Sequence, residues 1–335
     1  MAKRLGRHTV ALEGEVVISA HACVGGKKEG EGPLKRHFDY LTGDDTFGEK
    51  TWEKAECRCQ QLATKLAVEK WGRRQEDLDY LLAGDLLNQC ISSSFAARGS
   101  NVPFFGLYGA CSTMGESISL AALLLESGAA QAVGAVTSSH FCTAERQYRT
   151  PLAYGGQRTP TAQWTATAAG CSILTKGGRG IKVTHVTTGH IVDKGISDAN
   201  NMGAAMAPAA ADTLVAHFKE TGREPGYYDL VVTGDLGQLG REILLELTRE
   251  EGVDLSGVHN DCGLLLYDLA NQDVHCGASG CGCAASVLNG YLLRQMEDGT
   301  LRRILFCPTG ALLSPTSSQQ GETIPGIAHA VALEV

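Results

Sequence analysis

Cys111 stands in the run Leu107-Tyr108-Gly109-Ala110-Cys111-Ser112-Thr113-Met114-Gly115-Glu116, between a turn of small residues and a segment of helical periodicity. A cysteine in the first turn of a helix meets unpaired N–H groups and the positive end of the helix dipole, which favour the thiolate and hence a nucleophile. The same N–H groups can instead receive a ligand's carboxylate. A free cysteine is also among the most buried residue types, a small hydrophobe without chemistry. The second group is His275-Cys276-Gly277-Ala278-Ser279-Gly280-Cys281-Gly282-Cys283. Its mixture of thiols and imidazole suggests a metal, but Cys-x-Cys combined with Cys-x4-Cys is not a usual zinc or iron–sulfur spacing, so no metal is expected. The third is the polar and aromatic stretch from Thr137 to Trp164, with Ser138, Ser139, His140, Glu145, Arg146, Gln147, Tyr148, Arg149, Tyr154 and Arg158. Arg146 and Arg149 offer bidentate carboxylate binding and the tyrosines offer flat surfaces, while a solvated surface loop has the same composition.

The elements that must position these residues occur twice. Asp79-Tyr80-Leu81-Leu82-Ala83-Gly84-Asp85-Leu86 and Asp229-Leu230-Val231-Val232-Thr233-Gly234-Asp235-Leu236 lie 150 positions apart and share four of eight residues. Each follows a helical segment closed by a glycine, Gly72 or Gly222, and each reads as a buried parallel strand opening onto a loop. At an offset of 171, Gly109 to Gly128 precedes the strand Ala132 to Val136, as Gly280 to Gly299 precedes Arg303 to Cys307. The spacing predicts a duplicated β-α-β unit with strands in a parallel or mixed sheet covered by helices. The halves, 1–178 and 179–335, meet near Lys176-Gly177-Gly178-Arg179-Gly180. If a pseudo-twofold relates them, the helix N-termini at Cys111 and Cys283 face one pocket. Thr113 and Glu116 have capping-box spacing, so a helix is expected to start there, with Ile118, Ala121, Ala122 and Leu125 on its apolar face. Cys57 and Cys59 fall in a helical segment and are read as structural.

Composition narrows the function further. Of 335 residues, 43% are apolar and 20% charged, which excludes a disordered or fibrous chain. The net charge of −8 excludes general attraction to nucleic acid or anionic lipid, so any anion must be held by local groups. The forty-one glycines exceed the usual ~7% and point to tight loops. Twelve irregularly spaced cysteines suit a reducing cytosol better than a disulfide framework. Glu13 and Glu15 interrupt what would otherwise be an export signal, and Glu126, Ser127, Gly128 and Gln131 interrupt the apolar segment Ile118 to Val136, which reads as helix, turn and strand. Lys3, Arg4, Arg7, Lys27, Lys28, Lys35 and Arg36 are basic enough to dock on a membrane, although such charges are usually only solvated.

A duplicated half with a cysteine at a central helix N-terminus is similar to the thiolase and ketoacyl synthase III superfamily. Tyr-Gly-Ala-Cys-Ser-Thr around Cys111, Thr-Ser-Ser-His ending at His140, Tyr154-Gly155-Gly156-Gln157, Pro160-Thr161-Ala162-Gln163-Trp164 and Ser279-Gly280-Cys281-Gly282-Cys283 resemble, more narrowly, the stage V sporulation protein AD family. The resemblance spans nearly the whole chain. It implies an α/β thiolase-like fold of two βαβαβ halves in αβαβα layers with pseudo-twofold symmetry. It also implies a binder of dipicolinic acid (pyridine-2,6-dicarboxylate), free or as a calcium chelate, needing no cofactor. Such a protein serves uptake of that compound into the developing spore and its release at germination. It would work beside other membrane proteins of the stage V sporulation A operon, as a homodimer on the cytoplasmic side of the spore inner membrane.

Condensing enzymes of the superfamily join their cysteine to a histidine and an asparagine or second histidine. Here Asp235 occupies the place of the histidine and Cys281 that of the asparagine, while a thiolase-like register brings His275 near one of those roles with spacing one residue short. The resemblance therefore implies a degenerate protein with Cys111 as a vestigial nucleophile. The ligand site expected from it comprises Cys111, Ser138, Ser139, His140, Arg146, Arg149, His275, Cys281 and Cys283. The competing expectation is an acyl-thioester condensing enzyme or acyltransferase that uses Cys111.

Overall fold

A computed structural model describes residues 2–148 and 158–335. The first half supplies strand β1 (Val16–Gly25), helix α1 (Trp52–Trp71), β2 (Tyr80–Gly84), β3 (Phe104–Gly106), α2 (Thr113–Ser127), β4 (Ala132–Ser139), α3 (Phe141–Tyr148) and β5 (Ala168–Lys176). The second supplies β6 (Ile181–Thr188), α4 (Met202–Thr221), β7 (Leu230–Thr233), α5 (Gly237–Glu250), β8 (His259–Asp261), α6 (Cys281–Ser286), β9 (Arg303–Cys307) and β10 (Gly326–Glu334).

The strands follow one path, β8-β7-β9-β10-β6-β1-β5-β4-β2-β3. Read outward from its middle, each run of five begins with two antiparallel pairings and ends with two parallel ones. The runs meet where Ile181 and Lys182 pair with Ile18 and Val17. Helices α2 and α6 both touch strands of the first run, and α2 also touches β10 of the second. They therefore lie between the runs, and every residue of α6 is buried. Helix α1 closes the outer core of the first half, with Cys59, Ala63, Ala67 and Val68 on its inner face, while α4 and α5 close that of the second with Met206, Leu214, Phe218 and Leu244. The layers run helix, sheet, helix pair, sheet, helix, as expected of a duplicated α/β fold.

The repeat holds in detail and departs from expectation at one point. Helices α1 and α4 both end on a left-handed glycine, Gly72 and Gly222, after which a single 3-10 turn leads into β2 and β7. Cys111 follows a left-handed residue, Ala110, and Cys281 follows Gly280 with φ +100, so the two turns correspond at an offset of 170 rather than 171. The glycines that close the two helices, Gly128 and Gly299, nevertheless lie 171 apart. The extra residue is absorbed by a π-helical stretch, Val287–Leu292, that continues α6.

Strand β4 runs to Ser139, beyond the expected end at Val136, and all eight of its residues are buried. Ser138 and Ser139 are therefore strand residues inside the sheet, not the start of a polar loop.

Candidate functional site

The turn before α2 is held by its own side chains. The Gly109 carbonyl accepts from the Ser112 backbone N–H at 3.0 Å and from its hydroxyl at 2.7 Å. The Thr113 hydroxyl donates to the Ala110 carbonyl at 2.6 Å and accepts from Gly109 N–H at 3.1 Å. Thr113 thus ties the turn rather than capping the helix, and the expected capping box does not form: Ser112 is the N-cap, and Glu116 Oε2 is buried without a hydrogen-bond partner. Ala110 is held at φ +49, a conformation uncommon outside glycine, and it sets the direction of Cys111.

The thiolate expected at Cys111 is not favoured. Its side chain is 5% exposed, and its pKa lies well above the ordinary 9.0. Burial is the largest cause, followed by the negative charge of Asp235 and the neighbouring Cys281; a hydrogen bond to Asp235 keeps the proton on sulfur, and the Gly280 N–H opposes weakly. A helix terminus contributes about 0.3–1 kcal/mol, whereas full burial shifts such groups by up to about 3–5 pH units. Burial wins.

Asp235 sits where β7 turns into α5. Its Oδ2 accepts from Gly280 N–H at 2.9 Å and from the Ser279 hydroxyl at 3.2 Å, its Oδ1 accepts from the Thr309 hydroxyl at 3.0 Å, and the Cys111 thiol donates to it. Burial raises its pKa from 3.8 to about 6, so it is an anion at neutral pH. Asp261 braces the same turn by accepting from the backbone of Leu236, Gly237 and Gly263.

A related niche lies around Cys281. Its thiol donates to the Ser138 carbonyl at 2.9 Å, and Asp85 and Glu56 lie near enough to raise its pKa further. Asp85 ends β2 as Asp235 ends β7, and it accepts from Leu87 N–H, Ser93 N–H and the Ser93 hydroxyl. Glu56 accepts from the Ser138 hydroxyl at 3.2 Å and the Thr143 hydroxyl at 2.7 Å. Gln60 donates to both the Ser138 and Ser93 hydroxyls. Burial first, and then the Asp85 charge, pushes Glu56 up to about 8, so the carboxyl pair retains a proton at neutral pH.

Cys111 and Cys281 pack in one small apolar cluster with Leu86 and Ala144, and Tyr148 covers it. The Tyr148 hydroxyl donates to the Leu86 carbonyl at 2.5 Å and lies 3.2 Å from that of Tyr108. The helix starts at Cys111 and Cys281 therefore face each other; the counterpart of Cys111 is Cys281 and not the expected Cys283, which lies a further half-turn into α6, and side chains fill the space where a pocket was expected.

The other expected ligand residues are engaged within the protein. Ser138 serves Glu56, while the Ser139 hydroxyl donates to the Ala166 carbonyl and accepts from Gly282 N–H. His140 Nδ1 accepts from Cys142 N–H, so Nε2 is the donor to the Asp45 carbonyl at 2.8 Å. His275 lies 2.8 Å from the Thr159 carbonyl through Nδ1 and 3.0 Å from Asp273 through Nε2. The Cys283 thiol faces the Gly234 carbonyl at 3.6 Å. Arg146 is paired with Glu53 and lines, with Thr143, Gln147, Leu87 and Ile91, an open cavity of about 360 Å³. Arg149 and Tyr154 lie outside the described residues.

All twelve cysteines are free thiols, and among the described residues no three His, Cys, Asp or Glu side chains are grouped to hold a metal. No helix among them is long and apolar enough to cross a membrane.

Sequence reasoning missed Glu56 and Gln60. Their signal was present, because both share the inner stripe of α1 with Ala55, Cys59, Ala63 and Ala67, and polar residues on a buried face imply partners. It also missed the placement of Lys28 and Arg158 over the ring of Trp164, at 3.9 and 4.6 Å from its centroid.

The profile of the family described as "Stage V sporulation protein AD" matches residues 6–334. The stage V sporulation protein AD of Bacillus subtilis (strain 168) is 42% identical over 332 residues, covering 99% of this chain and 98% of that protein. Among solved structures, acetamide-bound OleA of Xanthomonas campestris superposes with a TM-score of 0.62 at 12% identity, over 96% of this chain and 99% of that one. The 3-oxoacyl-[acyl-carrier-protein] synthase III of Aquifex aeolicus superposes with a TM-score of 0.58 at 14% identity, over 96% and 100%. At these identities the structural likeness establishes the fold, which is thiolase-like.

Proposed function

Because the chain belongs to the stage V sporulation protein AD family, we propose that it binds pyridine-2,6-dicarboxylate and does not make or break bonds in it. The observation that carries this reading is the partner of Cys111. Condensing chemistry needs a thiolate nucleophile and donors for the oxyanion that forms on the thioester carbonyl. The sulfur here is protonated, and the group bonded to it is the anionic carboxylate of Asp235. A fixed negative charge opposes both the thiolate and a second developing anion. None of the groups that act most strongly on this thiol is an imidazole.

The place of such a binder is in loading the developing spore and in release at germination, docked on the inner membrane beside partner membrane proteins and working as a homodimer. Family membership supports that placement. The competing reading, acyl transfer from coenzyme A or a carrier protein through Cys111, makes a different prediction. Isothermal titration should give a saturable heat with dipicolinate, and incubation with radiolabelled acyl-coenzyme A should leave no label on the protein. A stable label that disappears in Cys111→Ser, with no heat from dipicolinate, would replace binding with catalysis.

A further inference from the structure

Residues 164–165 form a short strap, Trp164–Thr165, paired in parallel with Ala278–Ser279. The indole of Trp164 is stacked on Phe141 with centroids 3.7 Å apart and an interplanar angle of 6°. Lys28 Nζ stands 3.9 Å from its centroid and the Arg158 guanidinium 4.6 Å. Partial burial lowers the pKa of Lys28, and the like charge of Arg158 lowers it further, against the opposing pull of the Asp273, Glu31 and Glu29 carboxylates. Proteins seldom hold two cations together without an anion between them.

The counter-charge present is incomplete. Asp273 bonds one edge of Arg158, 3.0 Å from Nη2, and Nη2 also donates to the Asp273 carbonyl. The same carboxylate is shared with His275. The side chain of Arg158 is nine-tenths buried, yet its other terminal nitrogen, Nη1, has no hydrogen-bond partner. A buried, unpaired donor on a charged group is costly and is kept where a partner arrives from outside. Two further carboxyls act on Lys28, those of Glu31 and Glu29. Glu31 is exposed on the surface, and Glu29 is turned away: its Oε1 accepts from Thr167 N–H and the Tyr267 hydroxyl, and burial pushes its pKa up to about 7.

We propose that Lys28 and Arg158, seated on Trp164, form a carboxylate-binding site, with one ligand oxygen on Arg158 Nη1 and the charge shared with Lys28 Nζ. The guanidinium then bridges two carboxylates, that of Asp273 on one edge and that of the ligand on the other, which its planar fork allows. The flexible stem of Lys28 is the part that moves aside to admit the ligand. A single unpartnered guanidinium nitrogen beside one lysine fits a singly charged carboxylate better than a phosphate dianion, which the carboxylates around the site would repel more strongly. The site rests on this geometry. That the carboxylate belongs to pyridine-2,6-dicarboxylate rests on the reading above.

The test follows the Trp164 indole N–H resonance, assigned with Trp164→Phe, and titration heats with three probes: dipicolinate, pyridine-2-carboxylate and inorganic phosphate. Both carboxylates are expected to shift Trp164, and Lys28→Gln and Arg158→Gln to weaken their binding at least tenfold with the thermal melt of Lys28→Gln unchanged. If dipicolinate gives heat but neither variant alters it, the ligand sits elsewhere and this site is wrong while the family reading stands. If pyridine-2-carboxylate shifts Trp164 but dipicolinate does not bind, the site stands and that reading falls. Phosphate binding as tightly as the carboxylates overturns the assignment to a carboxylate. No shift with any probe overturns the site.

Discussion

The niches around Cys111 and Cys281 are built on one plan and have diverged. Each has a thiol after a left-handed residue at the start of a central helix, and each thiol lies beside a carboxylate that ends the second strand of the other half. At Cys281 the carboxylate is joined by Glu56, Gln60, Ser93 and Ser138 in a closed network that keeps a proton. At Cys111 a single carboxylate holds the thiol and three protein donors. A duplicated scaffold can thus keep both turns while their surroundings diverge, one thiol facing a single carboxylate and the other a network of several polar side chains. The thiol survives in both niches as a small buried group.

The largest break in this comparison comes from the glycine turn. Gly280 has φ +100 and ψ 154, a region closed to side chains, and a Cβ there would lie 2.6 Å from Ser139 Oγ. That hydroxyl is fixed between the Ala166 carbonyl and Gly282 N–H and cannot rotate away without losing both. Gly280→Ala should lower unfolding free energy by about 3 kcal/mol, the sum of backbone strain and overpacking. Equilibrium denaturation measures it, and a loss below ~1 kcal/mol would mean that the two turns are equally permissive.

A smaller effect separates the niches by pH. In the folded protein the pKa of Glu56 is raised from 4.5 to about 8 and that of Asp235 from 3.8 to about 6. The folded state holds protons that the unfolded chain releases, so each group's contribution is fully present below its unfolded value and is lost as pH rises through its folded value. Stability should therefore fall between about pH 5 and pH 8, each group contributing at most about 1.4 kcal/mol per pH unit within its own window. Glu56→Gln should flatten the decline above pH 6, and Asp235→Asn only the part below it. Denaturation series at pH 5, 6, 7 and 8 distinguish the two, and an unchanged slope in Glu56→Gln would remove the proton from the Cys281 niche.

Much of this plan was legible in the chain, because a glycine-capped helix followed by an apolar strand and Gly-Asp is a local pattern, and Gly72 and Gly222 announce it twice. The extra residue between the copies was not legible as a π-turn, because Val287–Leu292 is as apolar as an ordinary buried helix. Ser138 and Ser139 were misjudged because the chain does not break before them: β4 simply continues, and polar residues there meant an internal network rather than a loop. Glu56 was passed over because its neighbours Cys57 and Cys59 drew attention to the thiols of α1 rather than to its polar inner stripe. The contact of Lys28 with Trp164 joins distant parts of the chain, and no local pattern reports it.

The finest test lies at the other turn. Ala110 carries φ +49, which costs a non-glycine residue about 1–2 kcal/mol. Ala110→Gly removes that strain, but glycine gives back about 0.5–1 kcal/mol through the greater freedom of the unfolded chain, and the buried methyl, 3% exposed, is lost at about 0.8 kcal/mol. The terms nearly cancel, so the variant should stay within about 1 kcal/mol of the parent, in contrast to Gly280→Ala. A loss of ~2 kcal/mol or more would show that the alanine methyl fixes the Cys111 turn in place. The left-handed residue would then be held there by packing, and the asymmetry between the niches would extend from their charges to their backbones.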